Sequence, residues 1–100
     1  MGWATRHIET LRSGHAVSFR PTGQSMKGRI ESGQLCTVVP TDPATLRVGD
    51  IVLCRVGRND YLHLINAIDG MRFQIANNRG FINGWIEPNS IYGKCVRIEP

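Results

Sequence analysis

The stretch "DIVLCRVGRNDYLHLINAIDGMRFQIA" (residues 50–76) decides how the chain is built. Three runs in it are rich in apolar and β-branched residues: "DIVLCRV" (50–56), "YLHLINAI" (61–68) and "MRFQIA" (71–76). Each is too short for a buried helix and reads as a strand. Between them stand "GRND" (57–60) and "DG" (69–70), which read as two successive hairpin turns.

The same pattern continues outward. "QLCTVV" (34–39) and "HAVSF" (15–19) precede the central stretch, and "IYGKCVRI" (91–98) follows it, all with strand character. "TDPATLRVGD" (41–50) is a connection carrying Pro43 and Gly49, while "NNRG" (77–80) and "NG" (83–84) predict a longer loop. Only the start differs. Ala4, Ile8 and Leu11 fall at helical spacing, Arg12 suits a last turn and Gly14 the position after it, so residues 3–13 are predicted as an amphipathic helix. The chain therefore reads as one mainly β domain over 1–100, with an N-terminal helix within 1–14 and a β core over 15–100. It shows no internal repeat, low-complexity tract or linker.

Composition narrows the function classes. The 12 Lys and Arg against 8 Asp and Glu leave a net charge of +4. The arginines are spread from Arg6 to Arg97 without a run, which argues against nucleic acid as the partner, since binding of that kind uses a clustered basic stripe. Cys36, Cys54 and Cys95 each lie inside an apolar run, lack C-x-x-C spacing and are odd in number. They read as reduced, buried thiols, with no zinc pattern and no cofactor implied. No apolar segment approaches a membrane span, and the first residues lack a signal-peptide apolar core. A cytoplasmic protein is the expectation.

Chemistry points to "GQSM" (23–26) in the connection between two strand-like runs. A serine hydroxyl needs an adjacent base to become a nucleophile, and Gly23 would let a substrate backbone approach Ser25 closely. The candidate bases are few. Lys27 is two residues from Ser25, where a productive contact is awkward, and Lys94 lies in the last strand. His7 falls in the helix and His15 begins a strand. His63 sits in the middle of "YLHLI", sharing a face with Tyr61 and Ile65 by alternation.

Taken in order, "GQSMKGRIESGQLCTVVP", "LRVGDIVLCRV", "YLHLI" and "IYGKCVRI" resemble the catalytic core of signal peptidases and LexA-like self-cleaving repressors. The resemblance runs through Gly23, Ser25 and Met26, then Gly49, Asp50, Ile51 and Val52, then His63 at the base position, then Gly93, and spans about residues 17–98. It implies a coiled, partly closed β-fold in which Ser25 is the nucleophile and His63 the general base of a dyad in a groove. Gly23 and Met26 would support the groove and the oxyanion position, and the backbone N–H of Ser25 would be one oxyanion donor. Histidine as base is similar to the branch typical of archaeal and endoplasmic-reticulum signal peptidases. It also suits a small domain, because a histidine is poised near neutrality whereas a lysine must first be strongly desolvated.

Three departures stand beside these matches. The acidic residue usual near the histidine is missing from "IANNRGFINGW" (75–85). An Asn carbonyl can orient an imidazole, which makes Asn77 or Asn78 candidates, although both also suit a plain turn. Leu64 replaces the arginine that commonly follows the base. Neither a membrane anchor, a separate DNA-binding domain nor an Ala-Gly or Cys-Gly self-cleavage pair is present, so the expected substrate is another peptide or protein chain. Two functions follow as expectations: a small serine endopeptidase, or a catalytically silent module that binds a partner strand in the same groove.

Overall fold

The computed structural model describes residues 2–100. Helix α1 (Thr5–Arg12) is followed by seven strands: β1 (Val17–Phe19), β2 (Leu35–Val39), β3 (Ile51–Val56), β4 (Asn59–Asp69), β5 (Arg72–Ala76), β6 (Ile82–Ile86) and β7 (Ile91–Glu99). They form one antiparallel sheet in the order β1-β2-β7-β3-β4-β5-β6. β1 and β6 are its edges, and the sheet does not close into a barrel.

The central meander follows from its two turns. Val56 pairs with Asn59 and Asp69 with Arg72, leaving Gly57-Arg58 and Gly70-Met71 as two-residue loops. Gly57 and Gly70 have φ near +60°, and among the described residues no non-glycine has positive φ. A positive φ at the first loop position alone is the type II′ pattern, whose twist matches that of the flanking strands. The second turn thus lies one residue beyond the "DG" of the sequence reading.

β3 is the middle of the molecule. Ile51 and Leu53 point to one face and join Ala4, Ile8 and Leu11 of the helical segment, Met26 and Ile30 of the β1–β2 connection, and Cys36, Val38 and Leu62. Val52 and Cys54 point to the other and join Leu46, Ile65, Phe73, Ile75, Ile86 and Ile91. A strand buried on both faces needs an unbroken apolar run, and "IVLC" supplies it. Gly93 of β7 lets these layers close. A Cβ there would stand 2.7 Å from both Val38 Cγ1 and the Val39 carbonyl oxygen, and 3.1 Å from Leu11 Cδ2.

The sequence reading requires two corrections. The helix is shorter than 3–13, with Trp3 ahead of it and Ser13 as its C-cap. Residues 82–86, expected within a loop, form edge strand β6 on β5. Asn83-Gly84 carries the composition of a turn, but pairing with β5 overrides it. β6 also breaks step once: Ile75 pairs with Gly84 and Ala76 with Ile82, so Asn83 is left unpaired as a β-bulge. Among the described residues, no helix is long and apolar enough to cross a membrane.

Candidate active site

Ser25 lies in the long connection between β1 and β2, which is folded into tight turns. The N–H groups of Arg29 and Ile30 both donate to the Met26 carbonyl, at 2.9 and 2.8 Å. Met26 and Ile30 are buried beneath the connection and fasten it to the core. A second fastening comes from the β5–β6 loop. The Asn78 N–H donates to the Ser25 carbonyl at 2.9 Å, and Asn78 Nδ2 donates to the Lys27 carbonyl at 2.8 Å. Gly28 makes room for that amide, since a Cβ there would lie 2.9 Å from Asn78 Nδ2.

His63 is carried by the middle of β4, opposite Val52 of β3. Its Nε2 lies 3.2 Å from Ser25 Oγ and its Nδ1 lies 2.8 Å from Asn83 Oδ1. The tautomer follows from the chemistry of the partners. An amide oxygen only accepts, so Nδ1 carries the proton and donates to Asn83, which leaves the Nε2 lone pair to accept from the Ser25 hydroxyl. Tyr61 stacks on one face of the ring, with centroids 4.6 Å apart and planes 26° apart. Burial pushes the His63 pKa below its ordinary 6.5, an effect partly opposed by the hydrogen bond to Asn83. The ring is therefore neutral at pH 7, the state a general base requires.

The residue that orients His63 is Asn83, and neither Asn77 nor Asn78 takes that position. Asn77 Oδ1 accepts from the N–H groups of Arg79 and Phe81, both at 2.9 Å, and so shapes the loop. Asn78 holds the serine connection instead. Asn83 was hidden by its neighbour, because "NG" is the commonest hairpin-turn dipeptide. The alternation of Ile82, Gly84 and Ile86 is the signal that could have found it. Lys94 does not serve as a base for the pair: it sits across β3 from His63, paired with Asp50 at 3.7 Å.

Ser25 and His63 open onto a groove of about 450 Å³, with Gly23 and Met26 also in its lining. Gly23 gives its N–H to Ser32 Oγ at 3.3 Å, whereas no hydrogen bond among the described residues engages the N–H of Ser25. One wall of the groove is the first half of β4. Ile65 directs both backbone groups to the β3 side, donating to Asp50 and accepting from Gly49, each at 2.8 Å. Alternation then turns those of Asp60 and Leu62 to the opposite edge. The β5 ladder begins only at Leu64 and Ala76, so among the described residues no strand pairs with this edge where it borders the groove.

The other chemistry-bearing side chains have structural settings. Burial drives the thiol pKa of Cys36 up to about 11 and that of Cys54 up to about 12, which makes both poor nucleophiles. Among the described residues, no cluster of three or more His, Cys, Asp or Glu is placed to hold a metal ion. Comparison with protein-family models, with curated proteins and with solved structures returned no match.

Proposed function

We propose that this protein is a serine endopeptidase that cleaves an extended segment of another polypeptide, with Ser25 as nucleophile, His63 as general base and Asn83 as the residue that orients the base. The reading rests on the Ser25–His63–Asn83 relay on the wall of an open groove. The order of the boxes, which resembles that of signal peptidases and LexA-like peptidases, supports it.

The chemistry is that of acyl transfer. Nε2 of His63 takes the hydroxyl proton as Ser25 Oγ bonds to the scissile carbonyl carbon. The carbonyl π electrons move to oxygen, and the Ser25 N–H faces the oxyanion so formed. The imidazolium keeps its Nδ1–H bond to Asn83 and gives the Nε2 proton to the departing amine as the C–N bond breaks. Water then attacks the acyl-serine ester, His63 takes its proton, and the acid product leaves with Oγ reprotonated. A substrate strand would hydrogen-bond to the free edge at Asp60 and Leu62, which places its backbone across Ser25.

The test is cleavage of a peptide library made by digesting a whole proteome, with new termini read by mass spectrometry. Cleavages made by the wild type and lost in Ser25→Ala are expected. If the folded wild type makes none beyond those of Ser25→Ala, the peptidase reading falls, and the groove is then a binding site for a partner strand.

A further inference from the structure

One end of the groove is aromatic and is supplied by the N-terminal segment. Trp3 and His7 line the groove with Phe19, the last residue of β1. The three rings hold one another: His7 stacks on Phe19 at 4.4 Å and 18°, and Trp3 meets Phe19 at 5.7 Å and 56°, and His7 at 6.4 Å and 59°. Trp3 is nevertheless 53% exposed. A large ring fixed by two neighbours yet left half open is pre-organised to take another apolar group.

The charged side chains of the groove have partners already. Asp60 takes a two-pronged contact from Arg55, at 2.8 and 3.2 Å. Glu31 Oε2 accepts from the Gly28 N–H at 2.9 Å, and Arg20 Nη1 donates to the Gly33 carbonyl at 2.8 Å. What the groove offers uncommitted is aromatic surface. Its place along the wall is set by Gly2, whose position for a Cβ is 3.5 Å from Asp60 Oδ2. Asp60 is three residues before His63, roughly 10 Å along a strand. A substrate strand lying on this edge would reach Trp3 within a few residues of the bond under attack.

We propose that Trp3, His7 and Phe19 form a specificity subsite that selects cleavage segments bearing an aromatic side chain. The N-terminal segment is then part of substrate recognition as well as cover for the core. The proposal rests on the peptidase reading for its setting, and binding tests it apart from catalysis.

The probes are N-acetylated hexa-alanine peptides carrying one Phe, Leu, Lys or Glu at each position in turn. Binding is measured with the Ser25→Ala protein, and cleavage of the same panel with the wild type. The Phe peptides should bind at least about tenfold tighter than their Lys and Glu counterparts. Trp3→Ala should erase that preference while Trp3→Phe keeps most of it, with the far-ultraviolet circular dichroism of both variants unchanged. A preference for the Phe peptides that survives unchanged in Trp3→Ala, or a wild-type ranking that follows charge, overturns the subsite. Aromatic preference in binding without any cleavage by the wild type would uphold the subsite and sink the peptidase reading. Cleavage without aromatic preference would do the reverse.

Discussion

Asn83 reaches His63 because β6 leaves Asn83 out of register. Its neighbours Ile82 and Gly84 pair with Ala76 and Ile75, and the unpaired residue between them presents Oδ1 2.8 Å from His63 Nδ1. A bulge re-aims a side chain that regular pairing would commit elsewhere. The bond assembles the relay from two distant parts of the sheet, the wall of the groove and an edge strand. Because Asn83 is neutral, it sets the tautomer of His63 without adding a carboxylate's pull on the proton.

Replacing Asn83 with Asp separates these two contributions. A carboxylate beside Nδ1 favours the imidazolium, so the His63 pKa should rise in Asn83→Asp. The base form would then appear only at higher pH, moving the acid limb of kcat/KM in the alkaline direction. Asn83→Leu removes the acceptor and frees the ring to adopt the wrong tautomer, with an expected loss of about a hundredfold or more in kcat. NMR titration of His63 in the three proteins measures the first effect, and an unmoved or lowered pKa in Asn83→Asp would contradict the relay.

The pH dependence of the wild type follows from burial of the ring. Since His63 is held below 6.5, kcat/KM should rise with pH through a midpoint below that value and be flat across neutrality. Stability has the same sign. The folded His63 binds its proton less readily than the unfolded one, so between the two pKa values the unfolded chain carries more protons and folding weakens as pH falls. His7, also lowered by burial, adds to this loss. Urea denaturation at pH 7.5 and 5 should show it, with a smaller difference in His63→Gln. A stability that grows on acidification through this range would rule it out.

Gly93 tests how closely β2 and the helix pack around β7. In Gly93→Ala the new methyl meets the Val39 carbonyl oxygen and Val38 Cγ1 at 2.7 Å, and neither the backbone nor a fully buried valine yields freely. A loss of about 1–3 kcal/mol is expected, read as a lower urea midpoint at unchanged m-value. A midpoint equal to that of the wild type would mean that β2 gives way at Val38 and Val39 and that the close approach at Gly93 does not hold the layers.

How much of this was legible depended on whether local and tertiary preferences agreed. In "DIVLCRV" and "YLHLI" the side-chain pattern and the pairing point the same way, and β3 and β4 follow from the residues alone. In "FINGWI" they conflict, because Asn-Gly favours a turn while Ile82, Gly84 and Ile86 alternate as a strand; pairing with β5 decides it. Residue chemistry and the family resemblance marked Ser25 and His63 as candidates 38 residues apart, but only the folded chain shows whether they meet. The alternation of Ile82, Gly84 and Ile86 could have marked Asn83 as part of a strand, but its aim at His63 depends on a bulge, which is a property of two strands together. Nothing local to Trp3 tells that the groove ends beside it.

The serine connection should separate activity from stability. Asn78 is its clamp, with the N–H on Ser25 and Nδ2 on Lys27. In Asn78→Ala the backbone bond can remain and only the Nδ2 bond is lost, a cost of about 1 kcal/mol at an exposed site. The loss in rate should be larger than that, because a nucleophile displaced by about 1 Å costs on the order of a hundredfold. Gly28→Ala, which drives a Cβ into the same amide, should push the connection from the opposite side and reduce kcat alike. The measurement is kcat against urea midpoint for both variants on any peptide the wild type cuts. Rates that fall only in proportion to stability would show that Asn78 supports the fold without positioning Ser25.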